Sequence, residues 1–409
     1  MLTSSWFVDC CKQVTDHKEN IWVAYSGGVD SHVLLSLAVA NFSNVRAVHI
    51  NHNLGPDDHL WQQHCEQVCR QLNIPLECIT VNAKVKYRQS PEEAARLARR
   101  KAWLGLITSQ DLLLLAHHAD DQAETILYRL FRGTGPKGLG GMRQQVKIGE
   151  TTLFRPLLHV SKQEILDYAH QQNLVWAYDQ TNSSTNYDRN YIRNQIMPLL
   201  TKRWLKAISN INRAGELCAQ LLHVVEPVIA EQLASIYGAN NSEIEISKLH
   251  EFSDYIIIEL LRAWLQAHGL TPSLNQINLI QKQVIAAKVD AKPKFCIEGK
   301  VIRRSNNKLY ISNNENQGAE IQQEIFEQEW DLKSELALPN GQFLNPDQFA
   351  QLRGQKVLVK LGRHGRKAKK IFQEHNIPPW ERAKYPVILA DEHVVCIVGL
   401  WNATTANQQ

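Results

Sequence analysis

Four short apolar runs occur in the first 120 residues, and more polar, amphipathic stretches separate them. The runs cover residues 21–25, 45–50, 76–81 and 112–116. They are rich in β-branched residues or entirely apolar, which is typical of strands buried on both faces of a parallel sheet. The stretches between them predict helices over residues 32–40, 57–72 and 91–108, and a capping box of Ser161 with Glu164 predicts a further helix that begins there. This alternation predicts an α/β fold with a doubly wound parallel sheet, in which ligands bind at the carboxyl ends of the strands.

The strand pattern fades after about residue 200. Residues 203–290 have a helical pattern, within which residues 254–268 form an amphipathic helix that ends at Gly269. Residues 295–312 predict a hairpin that turns at Ser305-Asn306-Asn307. From about Trp330 the pattern mixes strands with one basic helix. We therefore expect three domains: an α/β domain over 1–213, a mainly helical domain over 214–318, and a small α+β domain over 330–409.

Composition narrows the classes of protein only slightly. The chain of 409 residues has a net charge of +4 and eight cysteines, none in a C-x-x-C pair. A disulfide framework is therefore not expected, and a reducing cytoplasm fits. No apolar run approaches the roughly 18 residues that a membrane span needs. We expect a cytoplasmic protein without a membrane partner.

The first apolar run leads into a glycine turn and then a helix, and this turn predicts a phosphate site. Two glycines allow a sharp turn close to a ligand, and a helix start binds anions. Asp30 stands where a kinase-type loop has lysine, and a carboxylate beside phosphates suggests a bridging Mg²⁺. The alternative is an ordinary strand–turn–helix connection in which Asp30 only matches the helix dipole. The segment, which we call the phosphate loop, consists of Ser26, Gly27, Gly28, Val29, Asp30 and Ser31.

A second candidate group follows the run at 112–116. Asp120, Asp121 and Glu124, which we call the acidic cluster, come after His117 and His118. Carboxylates and imidazoles at a strand end can hold Mg²⁺, bind an ammonium group or act as a base. The alternative is structural, with Asp121 and Glu124 forming a capping box. We favour function because this strand end should face the same crevice as the phosphate loop.

Two further patterns have weaker meanings. Residues 133–138 match G-x-G-x-x-G, but they follow a helix and contain Pro136, so we expect a flexible loop over the site rather than a dinucleotide fingerprint. Histidines and cysteines over residues 49–69 match no standard zinc spacing. His52, near a strand end, is expected to line the nucleotide pocket.

Basic residues gather in three places, with aromatic residues among them. Each group alone usually means a solvated face, but three together favour a polyanion such as RNA. The first group consists of Lys84, Lys86 and Arg88 before a predicted helix, and of Arg96 and Arg100 on one face of that helix. The candidate RNA-binding residues of the other two groups are Arg189, Asn190, Arg193, Arg363, Arg366, Lys367 and Lys370.

These motifs, in this order, resemble those of the bacterial tRNA(Ile)-lysidine synthetases, a family within the N-type ATP pyrophosphatases. The wider group is marked by SGGVDS at 26–31, and the family more specifically by the block from HHADDQAET to GTG at 117–135. The sequences RPLL at 155–158, RNYIRNQIMPLL at 189–200 and KKIFQEHNIPPWER at 369–382 extend the resemblance. The match covers most of residues 20–200 and about 355–400.

The resemblance implies a reaction and its participants. ATP, with Mg²⁺, activates the C2 carbonyl of the wobble cytidine of tRNA(Ile) by adenylation, and the ε-amine of free L-lysine then attacks C2 and displaces AMP. The implied catalytic residues are the acidic cluster, which would bind the lysine ammonium and remove its proton, and Arg96 as a partner for phosphate or base. The family also suggests a homodimer.

Three alternatives compete with this interpretation. A tRNA thiolase of the same ATP group would need cysteines for sulfur chemistry, and the absence of C-x-x-C argues against it. A non-catalytic nucleotide-binding or RNA-binding module would not need the acidic cluster. An amide-forming synthetase for small metabolites would not need the basic C-terminal region.

Overall fold

The computed structural model describes residues 2–51, 58–81, 91–177, 187–288, 291, 293–314, 326–362, 364–375 and 377–403. The chain divides into two compact units, residues 1–225 and 226–409. The predicted three-domain boundaries at 213, 318 and 330 remain predictions. Within the described residues, no helix combines the length and apolar character required to cross a membrane.

The first unit contains a six-stranded sheet in the order β3-β2-β1-β4-β6-β5. Strands β1, β2, β3, β4 and β6 run parallel to one another. The edge strand β5 pairs antiparallel with β6. Chain order reverses between β1 and β4, so the crevice at the carboxyl ends of these two strands is the place where ligands bind in such sheets. The strands are β1 Ile21–Ala24, β2 Val45–Asn51, β3 Leu76–Thr80, β4 Leu112–Leu114, β5 Gln145–Ile148 and β6 Thr151–Phe154.

Helices cover both faces of this sheet, which confirms the predicted doubly wound fold. Ile21 and Val23 of β1 point to one face, where they pack with α1, α2 and α7. Trp22 lies on the opposite face with Leu113 and with Trp103 of α4. The helices of this unit are α1 Ser4–Thr15, α2 Val29–Asn41, α3 Asp58–Gln71, α4 Pro91–Leu106, α5 Ala119–Phe131, α6 Pro136–Leu139, α7 Lys162–Gln171, α8 Asp188–Tyr191 and α9 Met197–Arg203, with a π-helical turn at Ile192–Ile196.

Helix starts follow from local sequence where a capping residue is present. Ser161 caps α7 and forms the predicted capping box with Glu164. Helix α2 begins at Val29, three residues before the predicted start, because the phosphate loop itself supplies its first turn. The helix α10, Ala207–Ile236, runs from the first unit into the second.

The second unit begins with a helical group around a small antiparallel sheet, ordered β7-β10-β9-β8. The predicted single hairpin is a meander of three strands, because Glu298 and Gly299 both adopt positive φ and form an additional turn. The predicted turn near Ser305 is confirmed at Asn306-Asn307. The elements are β7 Glu243–Glu245, α11 Ile246–Leu249, α12 Asp254–Ala267, α13 Leu274–Ile280, β8 Lys294–Ile297, β9 Lys300–Ser305 and β10 Lys308–Asn313.

The remainder of the second unit has a five-stranded antiparallel sheet ordered β11-β14-β15-β16-β17, a separate two-stranded sheet of β12 and β13, and the α-helix α14, which agrees with the predicted α+β class. Phe372 and Ala368 of the helix pack against the sheet in a separate small core. The elements are β11 Phe326–Trp330, β12 Leu336–Ala337, β13 Phe343–Leu344, β14 Val357–Leu361, α14 Arg366–Glu374, β15 Val387–Ala390, β16 His393–Ile397 and β17 Trp401–Asn402.

Candidate active site

The phosphate loop leaves β1 and becomes the first turn of α2. Gly27 has a φ of +85°, in the left-handed region that favours glycine. A Cβ atom on Gly27 would lie 3.3 Å from Cys65 Sγ and 3.5 Å from His64 Cδ2, so the loop packs closely against α3. Gly28 is the N-cap of α2, and no side chain occupies this cap. The first backbone N–H groups of α2 lack helical partners, as at every helix start, and can bind an anion.

The two serine hydroxyls of the loop have different surroundings. Ser31 Oγ donates to the Gly28 carbonyl at 2.9 Å and accepts from the Ser26 N–H at 3.2 Å. Ser31 is buried, so in this structure its hydroxyl proton maintains the shape of the loop. Ser26 is exposed, and its hydroxyl is therefore the one that can meet a ligand.

Asp30 lies in the first turn of α2 and faces a lysine that the sequence analysis did not single out. Lys162 Nζ lies 2.5 Å from Asp30 Oδ1. The backbone N–H of Lys162 donates to Asp120 Oδ2 at 2.9 Å. The first residue of α7 thus joins the phosphate loop to the acidic cluster.

The acidic cluster lies at the start of α5, beside the phosphate loop. His118 is the N-cap of α5, and Asp121 completes a capping box with it. The predicted structural alternative, a box between Asp121 and Glu124, is therefore wrong, because the helix begins at Ala119 rather than one turn later. Gln122, on another side of this helix, binds the backbone of Met142 through both polar atoms of its amide.

The imidazole of His118 lies among three carboxylates. Its Nε2 atom is 3.7 Å from Asp30 Oδ1 and 3.4 Å from Asp121 Oδ2, and its Nδ1 atom is 3.7 Å from Asp120 Oδ2. Burial lowers the pKa of His118, but the carboxylates of Asp120, Asp121 and Asp30 outweigh burial and raise it overall. The contact between His118 and Asp30 joins the ends of β1 and β4, as the sheet order requires.

Asp121 and Glu124 are paired with two arginines from the segment at 187–196. Arg193 binds Glu124 through two parallel hydrogen bonds of 2.7 and 2.8 Å, and its Nη2 lies 2.7 Å from Asp121 Oδ1. Arg189 Nη2 is 3.3 Å from the same Asp121 oxygen. Burial raises the pKa of Asp121, but His118, Arg189, His117 and Arg193 together hold it at about 2. Asp121 is therefore a firmly ionised carboxylate.

His117 stands at the end of β4 beside a buried arginine. Arg155 Nε donates to His117 Nδ1 at 3.3 Å, and Arg155 Nη1 donates to the Arg143 carbonyl at 2.8 Å. Burial and the nearby guanidiniums lower the pKa of His117 to about 3, so the imidazole is neutral at pH 7. Burial also lowers the pKa of Arg155 to about 10, with further contributions from Arg96 and Arg129.

Arg96 lies on α4 with its side chain exposed. Its charge acts on Arg155 and Arg129, lowering the pKa of both. Arg96 therefore belongs to a group of guanidiniums beside the acidic cluster, rather than to the cluster itself.

The glycine-rich segment after α5 is folded, which corrects the predicted flexible loop. Pro136 begins the short helix α6. Arg129 Nη1 binds the carbonyls of Gly138 and Gly141 at 3.0 and 2.7 Å, and thereby fastens the segment to α5.

Basic residues of the second unit lie on the exposed side of α14. Arg366, Lys367 and Lys370 are exposed, and Lys370 is 3.9 Å from Glu374. Nearby in sequence, Trp380 contacts the Tyr310 ring edge-on at 5.4 Å and lies under Arg303 at 5.3 Å. Among the candidate residues, His52 and Arg363 lie outside the described residues, as does the basic segment at 84–88.

The donor set of the phosphate loop fits a Mg²⁺ ion that arrives with a nucleotide. Mg²⁺ is commonly held by one or two carboxylates together with phosphate oxygens, and Asp30 offers one carboxylate at a helix start. In the part of the chain that the structure describes, no three His, Cys, Asp or Glu residues form a metal cluster by themselves. Asp30 would thus hold the ion only together with phosphate.

Sequence reasoning missed two contacts of this site. The capping residue Ser161 correctly predicts that a helix begins at Lys162. It does not predict that the Lys162 ammonium contacts Asp30. Arg155 was visible only as the first residue of RPLL at 155–158. Its contact with His117 depends on the pairing of β4 with β6, a strand that the apolar pattern did not predict.

Comparisons with known proteins agree with this architecture. The PP-loop domain family matches residues 6–200, the TilS substrate binding domain matches 245–310, and the TilS substrate C-terminal domain matches 350–409. The solved structure of the U34-tRNA thiolase NcsA from Methanococcus maripaludis is similar over 53% of this chain and 78% of its own. Its TM-score is 0.45 and its identity 18%, and a likeness of that size does not bear on the activity.

Curated relatives match almost the whole chain. The tRNA(Ile)-lysidine synthase of Vibrio vulnificus strain CMCP6 is 35% identical, over 97% of this chain and 95% of its own. Those of Vibrio cholerae strain O395 and Coxiella burnetii are 36% and 32% identical, each over 93% of this chain and over 90% and 88% of their own. The chain therefore belongs to the tRNA(Ile)-lysidine synthase family.

Proposed function

We propose that this enzyme, a ligase by its family, joins free L-lysine to C2 of the wobble cytidine of tRNA(Ile) at the expense of ATP. The reaction has two steps: adenylation of the cytidine with release of pyrophosphate, and displacement of AMP by the lysine ε-amine. The observation that carries the proposal is the contact of the phosphate loop with the acidic cluster, through Asp30 and His118. One crevice can then serve a triphosphate and an amine in turn.

In the first step the protein must hold a triphosphate and favour the departure of pyrophosphate. The first N–H groups of α2 and the exposed Ser26 hydroxyl supply donors, and Gly27 lets the backbone approach without a Cβ. Mg²⁺, when bound at Asp30, would neutralise charge on the phosphates. A pyrimidine carbonyl is a poor electrophile, so the adenylate is needed as a leaving group for the second step.

In the second step the protein must bind a cation and accept its proton. Free lysine has a pKa of about 10.4, so only about one molecule in a few thousand is neutral at pH 7. Asp121 is ionised and faces Asp120 across His118, and we assign both the binding of the ammonium and the removal of its proton to these two carboxylates. Glu124 holds Arg193 in place, and the guanidinium in turn keeps Asp121 charged.

The partners follow from charge and from the family. We propose that tRNA(Ile) contacts the exposed basic side of α14 through Arg366, Lys367 and Lys370, together with Arg363. Asn190 is a candidate for contact with the tRNA, and Arg96 is a candidate partner for phosphate or base. Arg189 and Arg193 form ion pairs with Asp121 and Glu124. Their proposed contacts with RNA would be made in addition to these pairs. Homodimerisation and a cytoplasmic location remain proposals from the family and from composition.

Cys65, a cysteine that lies against the phosphate loop, argues against the thiolase alternative. Cys65 lies against Gly27, but it is buried, and burial and nearby Cys69 raise the pKa of its thiol. A raised pKa keeps sulfur as an unreactive thiol, whereas sulfur transfer needs a thiolate.

The experiment that tests the proposal separates the two steps. Purified variants are mixed with ATP and tRNA(Ile), and pyrophosphate release is followed before and after labelled lysine is added. Asp30→Ala should abolish pyrophosphate release, whereas Asp121→Asn should retain it and lose label transfer to tRNA. If Asp121→Asn transfers lysine at the wild-type rate, the assignment of the acidic cluster is wrong.

A further inference from the structure

The phosphate loop has no basic residue of its own. Residues 26–31 contain one charged side chain, the carboxylate of Asp30. P-loop enzymes place a lysine on the phosphates directly after the last glycine of their loop, but no such Gly-Lys-Ser/Thr sequence occurs in this chain. Pyrophosphate leaves with several negative charges, so a site built only from N–H dipoles and a carboxylate lacks a protein cation.

Lys162 supplies an ammonium at this point from a distant part of the chain. Its Nζ contacts Asp30 across 132 residues of sequence. The Lys162 backbone is fixed twice: Ser161 caps the helix with Glu164, and the Lys162 N–H binds Asp120. Ile165 of the same helix is buried in the core that contains α2. The base of the side chain is therefore rigid, and only the flexible stem decides where the ammonium lies.

An ordinary surface ion pair does not explain this placement well. Asp30 lies in the first turn of α2, where the helix dipole already stabilises a carboxylate. The two side chains remain 35% and 30% exposed, and exposed pairs add little stability. The position next to free helix N–H groups is instead one that attracts anions and the cations that accompany them.

We propose that Lys162 is the cation that binds the β- and γ-phosphates of ATP and stabilises the departing pyrophosphate, and that it rests on Asp30 when the nucleotide is absent. This inference rests on the proposed function, because it assumes that ATP is cleaved to AMP and pyrophosphate. With Mg²⁺ and ATP bound, Asp30 would hold the metal ion, and the Lys162 ammonium would bind phosphate oxygens.

The step balances without any proton transfer to or from Lys162. The cytidine O2 forms a bond to the α-phosphorus, and the bond from that phosphorus to the α–β bridging oxygen breaks. Pyrophosphate leaves with the electron pair of the broken bond. Lys162 remains an ammonium throughout and acts by its charge and its three N–H donors.

The test compares Lys162→Met with Lys162→Arg in single-turnover pyrophosphate release from the full-length protein, ATP and tRNA. Removing one preorganised donor at such a site costs about 100-fold in rate. Lys162→Met should therefore slow release by about 100-fold, and Lys162→Arg should restore most of the rate. Because Lys162 competes with Mg²⁺ for Asp30, Lys162→Met should also lower the Mg²⁺ concentration that half-saturates ATP binding.

A matched control is Lys18→Met. Lys18 Nζ donates to the Ser109 carbonyl at 2.9 Å, before β1 and therefore at the amino ends of the strands. It should keep wild-type release and Mg²⁺ dependence. If the wild-type protein releases no pyrophosphate, the proposed function fails and this inference with it. If the wild type releases pyrophosphate and Lys162→Met does so at the same rate, only the role of Lys162 is refuted. Should Lys162→Met fold poorly, Lys162→Gln gives the same comparison.

Discussion

Glu124 and Asp121 are enclosed carboxylates whose charge is balanced by arginines from one short segment. Glu124 is 3% exposed, and a charge so deeply buried is stable only when it is paired. Arg193 pairs with both carboxylates, and Arg189 adds a second guanidinium. The arginines therefore balance the charges of Glu124 and Asp121 and keep both carboxylates ionised. In the proposed function, Asp121 and the neighbouring Asp120 together bind the ammonium of lysine.

Arg193→Met should destabilise the first unit, because it leaves Glu124 with a weaker partner. Breaking a wholly buried pair costs about 3–5 kcal/mol, but Arg193 is about one third exposed and Arg189 remains, so we expect about 2 kcal/mol. Urea unfolding measures the change. Arg132→Met, which loses only an exposed bond to Tyr128, is the control and should change stability by less than about 0.5 kcal/mol. Equal stability of the two variants would contradict the pairing.

His117 should make the free energy of unfolding depend on pH, beginning at about pH 6.5, which is above the range in which carboxylates titrate. Its pKa of about 3 in the folded protein lies below the value of about 6.5 for an unfolded histidine. As the pH falls from about 6.5 to 3, His117 binds a proton in the unfolded chain but not in the folded protein. The free energy of unfolding therefore falls across this window. Asp121, with a pKa of about 2, contributes a further loss only below about pH 4.

The measurement is the urea midpoint between pH 7 and pH 4.5. The urea midpoint of His117→Gln should fall less than that of the wild type, because the glutamine amide does not titrate in this pH range. An identical fall in both proteins would mean that His117 is not held neutral.

Among the elements, the turn between β1 and α2 carries the tightest geometric requirement. Gly27 combines a positive φ with close contacts to α3, whereas Gly105 in α4 has open space and an ordinary helical position. These two glycines allow the same substitution to be compared in opposite surroundings.

Gly27→Ala should cost about 1–2 kcal/mol from the left-handed conformation alone, and it should weaken ATP binding by displacing the loop from Cys65. Gly105→Ala should instead stabilise the protein by up to about 1 kcal/mol, because alanine is the better helix former. Thermal unfolding and equilibrium nucleotide binding give both results. ATP binding of wild-type strength in Gly27→Ala would show that the turn does not require glycine.

The elements also show what the sequence could and could not predict. Strands β1 to β4 were visible because each is a short apolar run, and α7 because Ser161 and Glu164 form a box. The hairpin of β5 and β6 was missed because the polar–apolar alternation of Gln145–Ile148 is only four residues long, and Thr151–Phe154 has neither alternation nor an entirely apolar run. The pair of Lys162 with Asp30 was missed because it depends on how α7 packs against α2, which no local pattern encodes.

In the whole molecule, the candidate active site belongs to the first unit, and an exposed basic helix belongs to the second. Each unit has its own hydrophobic core. The family match covers both units nearly from end to end. We therefore expect the second unit to contribute to tRNA affinity rather than to the chemical steps.

Replacing Arg366, Lys367 and Lys370 together by glutamine should weaken tRNA binding and reduce its salt dependence. Each lost phosphate contact lowers the slope of log affinity against log salt by about 0.7–0.9, so three contacts should lower it by about 2–3. Filter binding at several salt concentrations measures the slope. An unchanged slope would remove α14 from the proposed RNA surface.

The most direct test of the central claim is the fate of ATP and lysine in one reaction. The purified protein is incubated with ATP labelled on its α- and γ-phosphates, labelled lysine, and tRNA(Ile) with a CAU anticodon. We predict AMP, pyrophosphate and lysine-labelled tRNA in equal amounts, and none of the three when tRNA is omitted. Formation of ADP and inorganic phosphate, or cleavage of ATP without lysine on the tRNA, would contradict the account.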